Sequence, residues 1–317
     1  MFNTVLYSAV LIAWGGSWLA IKWQEGPVPV ALSILYRFGL ATVIMLLIAI
    51  LLGKLQKTSR RDQFFCLLQG LFLFSLNFLA FYQATHYIAS GLVAVVMSTA
   101  TLFNALHNQL IWNIRPAASF RLGAVLGIAG LSLLFWSDLV AQQWSLDSLK
   151  GIGFALLGTW LFSLGNMVGV RHGRAGVTAF TSTSWGMLYG CAILALLIPL
   201  QLLAQGESLS TLTLWDPNPQ YLIGLLYLAV IASVVGFTTY LMLISRIGAN
   251  NAAYALVITP ILALTLSSVF EYYQWTGTSL AGLAVIMLGN VVVMGGLSRI
   301  SLAVNQLRGR QPAPVND

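Results

Sequence analysis

Long apolar runs broken by short polar interruptions define the chain. Ten runs of about twenty residues follow one another, at roughly 3–22, 30–53, 63–84, 89–112, 121–137, 151–170, 178–203, 220–244, 250–270 and 279–297. Each is apolar on all sides, without the alternation that marks a lipid-facing strand. A helix rises about 1.5 Å per residue, so about twenty residues cross the hydrocarbon of a bilayer. Backbone polar groups in lipid need internal partners, which leaves helices or a closed barrel. The pattern selects helices. The predicted fold is an all-α integral membrane protein with ten transmembrane helices. Its loops are short, so sequence neighbours run antiparallel.

Composition agrees. Of 317 residues, 58% are hydrophobic and 7% charged, where soluble domains carry roughly 25% charged residues. Mean hydropathy is +0.85. The net charge of +7 raises the question of nucleic acid. With the N-terminus in the cytoplasm, the inner loops hold Lys54, Lys57, Arg60, Arg61, Arg115, Arg121, Arg171, Arg174 and Arg246, and the tail holds Arg299, Arg308 and Arg310. The outer side keeps only Lys22, Arg37 and Lys150. The positive-inside rule therefore places both termini in the cytoplasm and accounts for the basic excess with no nucleic-acid partner. The tail is suited to touch anionic membrane lipid. Cys66 and Cys191 sit in apolar runs without metal or CxxC spacing and read as small buried hydrophobes. The first run lacks a basic leader and a small-residue cleavage site, so it reads as a retained span.

The chain repeats weakly. LGAVLGIAG from Leu122 resembles AGLAVIMLG from Ala281, each holding a glycine pair seven apart, Gly123 with Gly130 and Gly282 with Gly289. HYIASGLVAVVMSTATLFNAL parallels RIGANNAAYALVITPILALTL at an offset of about 160, which lays Thr99 on Thr259. WGGSWLA at Trp14 lies on WLFSLGN at Trp160, pairing Ser17 with Ser163. Five spans is an odd number, so the second half must enter the membrane upside down. The expected organisation is two inverted five-helix repeats. Residues 1–137 form the first, 138–150 an outer connecting loop, 151–297 the second, and 298–317 a disordered cytoplasmic tail.

One span breaks the apolar pattern. Thr101, Asn104, His107 and Asn108 fall on one helical face. An unpartnered amide or imidazole in hydrocarbon costs several kcal/mol, so such groups face other helices or water. Four on one surface exceed what one neighbour satisfies, which favours a cavity wall over interhelical glue. Matching groups occur elsewhere: Trp14, Ser17 and Trp18 in span one, Asn77 and Tyr82 in span three, and Trp160, Ser163 and Asn166 in span six. Span eight adds Tyr240, and span nine adds Tyr254 and Thr259. Such a wall suits a small-molecule substrate with an apolar body and a few polar groups. Trp23, Trp112, Trp144, Trp215 and Trp275 lie near span ends and read as interface anchors. Arg37 is expected to cap helix ends through carbonyls or Glu25, or to snorkel outward. Pro260 is expected to bend span nine, and Glu271 to form an exposed cap or gate element.

No Asp or Glu falls at the middle of a predicted span. His107 is the one mid-membrane side chain with a near-neutral reference pKa. Facilitated diffusion and proton exchange through His107 both remain open. No GxxxxGK[ST] occurs, so ATP hydrolysis is not supported. His86, His107 and His172 are scattered without an HxxxH or HExxH pattern. A non-enzyme is therefore expected. The competing class is a polytopic membrane enzyme acting on lipid or lipid-linked substrates.

Three segments carry a family resemblance: AWGGSWLAIK in span one, ILYRFGLA with Arg37 in span two, and the block SRIGANNAAYALVITPILALTLSSVFEYYQWTGTSLAGLAVIMLGNVVV. Together they resemble the EamA-type ten-span transporters of the drug/metabolite transporter superfamily. The chain departs from that pattern at span four, with Ala100 at a common proline position and IWN where a glutamate is usual. The resemblance implies a carrier in the bacterial inner membrane, often an exporter of amino acids or related compounds. It implies no cofactor and no metal, a monomer or homodimer, and a cavity among spans one, three, four, six, eight and nine.

Overall fold

The computed structural model describes residues 2–115, 119–141, 146–205, 212–252 and 254–293. Trp144 and the tail expected at 298–317 lie outside the described residues. Among the described residues all regular structure is helical. Within the described residues, eight helices are long and apolar enough to cross a membrane: α1 Phe2–Lys22, α2 Val30–Leu51, α3 Arg60–Thr85, α4 Ser90–Trp112, α5 Ser119–Trp136, α6 Leu146–Arg174, α7 Ala179–Ala204 and α8 Pro219–Ala249. Two apolar helices of 17 residues follow, α9 Tyr254–Phe270 and α10 Gly277–Val293. Seventeen residues span about 26 Å, just under the hydrocarbon thickness. α9 ends early because Tyr272 turns left-handed at φ 57° and breaks the ladder.

Local chemistry sets the other boundaries. α3 opens with a capping box, in which Ser59 Oγ accepts from the Asp62 amide at 3.1 Å and the Asp62 carboxylate accepts from the Ser59 amide at 3.1 Å. The same carboxylate holds Arg171 at the end of α6 at 2.6 Å. α4 stops at Asn113, whose φ of 52° is the left-handed turn that Asn tolerates. α8 starts with Pro219, behind an Asn218 side chain that accepts from the Gln220 amide at 3.0 Å.

Small residues bring the helices together. α5 and α10 run antiparallel in close contact, with Gly123 facing Gly289 and Gly130 facing Gly282. A β-carbon added at Gly282 would sit 2.4 Å from the Leu134 backbone nitrogen. Gly91 brings α4 against α9 in the same way, with Leu264 Cα 2.7 Å from an added β-carbon. Without a hydrophobic force between helices in lipid, such close approach and dispersion supply much of the association.

Four helices are interrupted near the middle of the protein. α1 breaks at Gly16, between Phe2–Gly15 and Ser17–Lys22. α3 breaks between Leu73 and Leu76, where Ser75 leaves the helical region and its Oγ donates to Gly70 and Leu71 carbonyls at 3.0 and 2.8 Å. α4 breaks at Thr99, whose Oγ1 donates to the Val96 carbonyl at 2.6 Å. α8 widens into π turns over Tyr227–Phe237. A wide turn leaves local backbone free to accept from elsewhere, and Trp14 Nε1 donates to the Ala232 carbonyl at 2.9 Å.

Candidate functional site

The interruptions meet around one small cavity. Trp14, Ser17 and Trp18 reach it from the break in α1, Asn77 and Phe78 from just beyond the break in α3, and Met97 and Ser98 from just before the break in α4. Phe237 closes it from the end of the π turns, Thr259 from α9 and Arg37 from α2. Its volume is about 30 Å³, far below the roughly 300–1,000 Å³ of a pocket that encloses a small molecule. The arrangement described is therefore contracted.

Six of its fifteen lining residues are aromatic. Trp14 meets Phe237 edge to face at 5.0 Å, and Phe38 meets Phe78 and Phe74 at 5.0 and 5.4 Å. Into this shell comes one charge. Arg37 is 1% exposed, which corrects the expectation of an outer cap or a snorkelling side chain. It lies seven residues inside α2, about 10 Å below the helix start. Ring faces block its path outward, with the guanidinium 4.2 Å from the Phe78 centroid and 4.9 Å from that of Phe38. Nε donates to Ser233 Oγ in the π turns at 3.0 Å, and the Tyr82 hydroxyl lies near the group. Glu25, its expected partner, pairs with Lys22 at 2.6 Å instead.

The polar stripe of α4 points elsewhere. Asn104 Oδ1 accepts from Ser163 Oγ at 2.8 Å and from Asn166 Nδ2 at 3.2 Å. The Ser163 proton is thereby committed, so His107 Nδ1, at 2.8 Å, is the donor to Ser163 Oγ. Asn166 Nδ2 also donates to the Tyr240 hydroxyl at 3.2 Å. Asn104, His107, Ser163, Asn166 and Tyr240 thus tie α4, α6 and α8 together, and none of them lines the cavity in this arrangement. Here they are the interhelical glue that the sequence reading held as its alternative. Thr101 donates to Asn290 Oδ1 at 2.6 Å, and Asn290 Nδ2 donates to Ser98 Oγ on the cavity wall at 3.2 Å. Asn290 escaped the sequence reading, although an amide inside the apolar run of α10 is a signal of the same kind. Asn108 lies by a separate cleft with Ile114, Gly173 and Asn251.

Of the remaining expected wall residues, Trp14, Ser17, Asn77 and Thr259 are on the cavity, while Tyr82 sits behind Arg37 with its hydroxyl donating to Gln24 Oε1 at 2.6 Å. Trp160 is a correction. It is 41% exposed, its ring edge-on to His107 at 5.8 Å. Three residues turn a helix by about 300°, roughly 60° short of a full turn, so with Ser163 seated inward Trp160 sits to one side and reaches the outer surface. The side chain of Tyr254 lies outside the described residues. Pro260 is buried within α9.

Glu271 is half-buried rather than exposed. Its carboxylate accepts from the Ser90 amide at 2.9 Å, from Ser267 Oγ at 2.7 Å and from Ser90 Oγ. It therefore caps the N-terminus of α4 from the end of α9, where the helix dipole favours a negative charge. Glu271→Ala is expected to cost about 2 kcal/mol, at the partly buried end of the range for such a charge. Thermal melting of the purified protein in detergent would register this as a lower midpoint, with Glu271→Gln in between. An unchanged midpoint in both variants would contradict the capping role.

Interrupted membrane helices that meet at a cavity with a few polar groups in its wall are the architecture of a membrane transporter. The sequence pattern of the EamA-like transporter family matches residues 3–136 and again 149–295, and the chain belongs to that family. It is 24% identical over 311 residues to the Bacillus subtilis protein named uncharacterized transporter YdfC, covering 96% of this chain and 92% of that one. It is also 24% identical over 287 residues to the Escherichia coli protein named uncharacterized inner membrane transporter YedA, covering 88% of each. A solved crystal structure shares the fold with a TM-score of 0.68 at 17% identity, over 94% of this chain and 98% of that one.

Proposed function

We propose that the protein is an alternating-access carrier of small metabolites and that the cavity at the helix interruptions is its substrate site. One observation carries the reading. Breaks in α1, α3 and α4 and the π turns of α8 converge on a single cavity whose wall keeps unpartnered polar atoms. In transporters such breaks free backbone and side-chain groups for cargo, and irregular backbone is tolerated there because it lines a cavity.

The proposed frame is ten spans in two inverted repeats. The family pattern matches once in each half. Helix contacts also repeat on exchange of the halves: α3 packs on α6 as α8 packs on α1, and α4 on α6 as α9 on α1. α2 packs on α8 as α7 packs on α3, and α4–α9 and α5–α10 pair with their own counterparts. The antiparallel glycine contact of α5 and α10 fits a two-fold axis lying between them. An axis of that kind makes inward- and outward-closed arrangements near-equivalent in energy. Both termini are taken as cytoplasmic and the membrane as the bacterial inner membrane, with export of amino acids or related compounds as the working direction.

Counterflow in liposomes tests the reading. Purified protein is expected to exchange radiolabelled metabolites saturably, and failure across a broad panel of amino acids and organic acids would overturn it. For energy, we favour passive exchange over proton coupling through His107. An imposed pH gradient is then expected to drive no uphill accumulation. Accumulation that disappears in His107→Gln would reverse that choice.

A further inference from the structure

We propose that Arg37 is the docking group for a carboxylate and that the cargo is a small organic anion. This rests on the cavity being the substrate site. The argument starts from partners. Three described cations hold acids: Lys22 with Glu25, Lys150 with Asp147, and Arg171 with Asp62. Arg37 has no carboxylate within ion-pair distance among the described residues, though it is the most enclosed cation. Its Nη1 is buried with no hydrogen-bond partner. Ser233, Phe38 and Phe78 hold the guanidinium from its other sides.

A second group points the same way. Asn77 is 0% exposed, lines the same cavity, and both its side-chain polar atoms lack partners. A planar guanidinium presents paired N–H donors that match the two oxygens of a carboxylate, and an amide beside it can add a further donor. No Asp or Glu among the described residues lines the cavity, so no anion there offers an ion pair to an ammonium group on the cargo. The rest of the wall is ring and methyl surface suited to an apolar body. A neutral amide of the same shape would leave the buried charge uncompensated, which is how such a site rejects it.

The experiment uses matched pairs: straight and branched monocarboxylic acids of two to eight carbons, each with its amide. Purified wild-type protein in detergent is melted with each compound at millimolar concentration. At least one acid is expected to raise the midpoint by several degrees while its amide leaves it unchanged. Arg37→Lys is expected to keep a reduced response, and Arg37→Gln to lose it. Acid and amide acting alike on the wild type, or no acid exceeding its amide anywhere in the panel, would overturn the proposal without any variant. An Arg37→Gln chain that folds and still responds to the acid would overturn it as well. Liposome exchange separates the two readings. Saturable counterflow of an uncharged metabolite, unaffected in Arg37→Gln, ends the anion assignment and leaves the carrier standing, whereas no counterflow of any solute ends the carrier.

Discussion

A Gly282→Leu chain is expected to lose the contact between α5 and α10 and to melt far below the wild type. The β-carbon would meet the Leu134 nitrogen at 2.4 Å, the Gly130 carbonyl oxygen at 2.7 Å and Leu134 Cα at 2.7 Å. All three are backbone atoms, so no rotamer change relieves the overlap, and the two helices must separate. Overpacking a tight interior costs about 1–3 kcal/mol, and a four-carbon side chain against backbone belongs at the top of that range or beyond it. Gly39 in α2 is the control, because an added β-carbon there meets nothing within 4 Å. Gly39→Ala is expected to be neutral or slightly stabilising through helix propensity. Melting of both variants in one detergent decides the matter. A Gly282→Leu midpoint within a degree of wild type would mean that α5 and α10 do not pack this way.

The second large effect falls on exchange. Asn104 Oδ1 accepts two hydrogen bonds that link α4 to α6, and Asn166 passes the link on to Tyr240 in α8. Asn104→Leu leaves the buried Ser163 hydroxyl without its acceptor and Asn166 Nδ2 with only its bond to Tyr240. An unpaired buried group costs about 1–3 kcal/mol in water-soluble proteins, while interhelical bonds in membranes average about 0.6 kcal/mol. A net loss of about 1.5 kcal/mol for the pair is the reasonable middle. That is roughly tenfold in the equilibrium constant between the tied and untied arrangements. Initial counterflow rates are therefore expected to fall about tenfold, with overall folding retained. Asn166→Leu is expected to behave alike, and the double variant to be little worse than either single one, because both break one network. Additive losses, or wild-type rates in Asn104→Leu, would show that the network takes no part in the transport cycle.

The run lengths were readable because lipid imposes a length on a helix, and the described helices follow the apolar runs closely. Facing was harder to read. In a water-soluble protein one side of a helix is polar, and its pattern says which side is buried. Lipid-facing and core-facing sides are equally apolar here, so that signal fades. Trp160 and Ser163 share a helix and were read as one wall, yet they point to different surroundings. The α4 stripe was found because polar residues stand out against hydrocarbon. Whether it met water or another helix depended on what α6 and α8 bring to it, which no single span records. Arg37 was misplaced for a related reason. Its sequence position suggests an end of a helix, and only the π turns of α8, carrying Ser233, disclose a partner for it in the interior. The glycine pairs of α5 and α10 were visible as a repeat, and their mutual contact emerged with the fold.

The shell of rings around Arg37 has a consequence for how much the site can hold. Trp14, Phe78 and Phe237 border it with planar groups that swing about two bonds each, while Phe38 and Phe74 stand behind them. Any metabolite-sized guest must push those planes aside to enter. Guest bulk is then limited by furniture that moves, and guests of unequal girth can share one anchoring point.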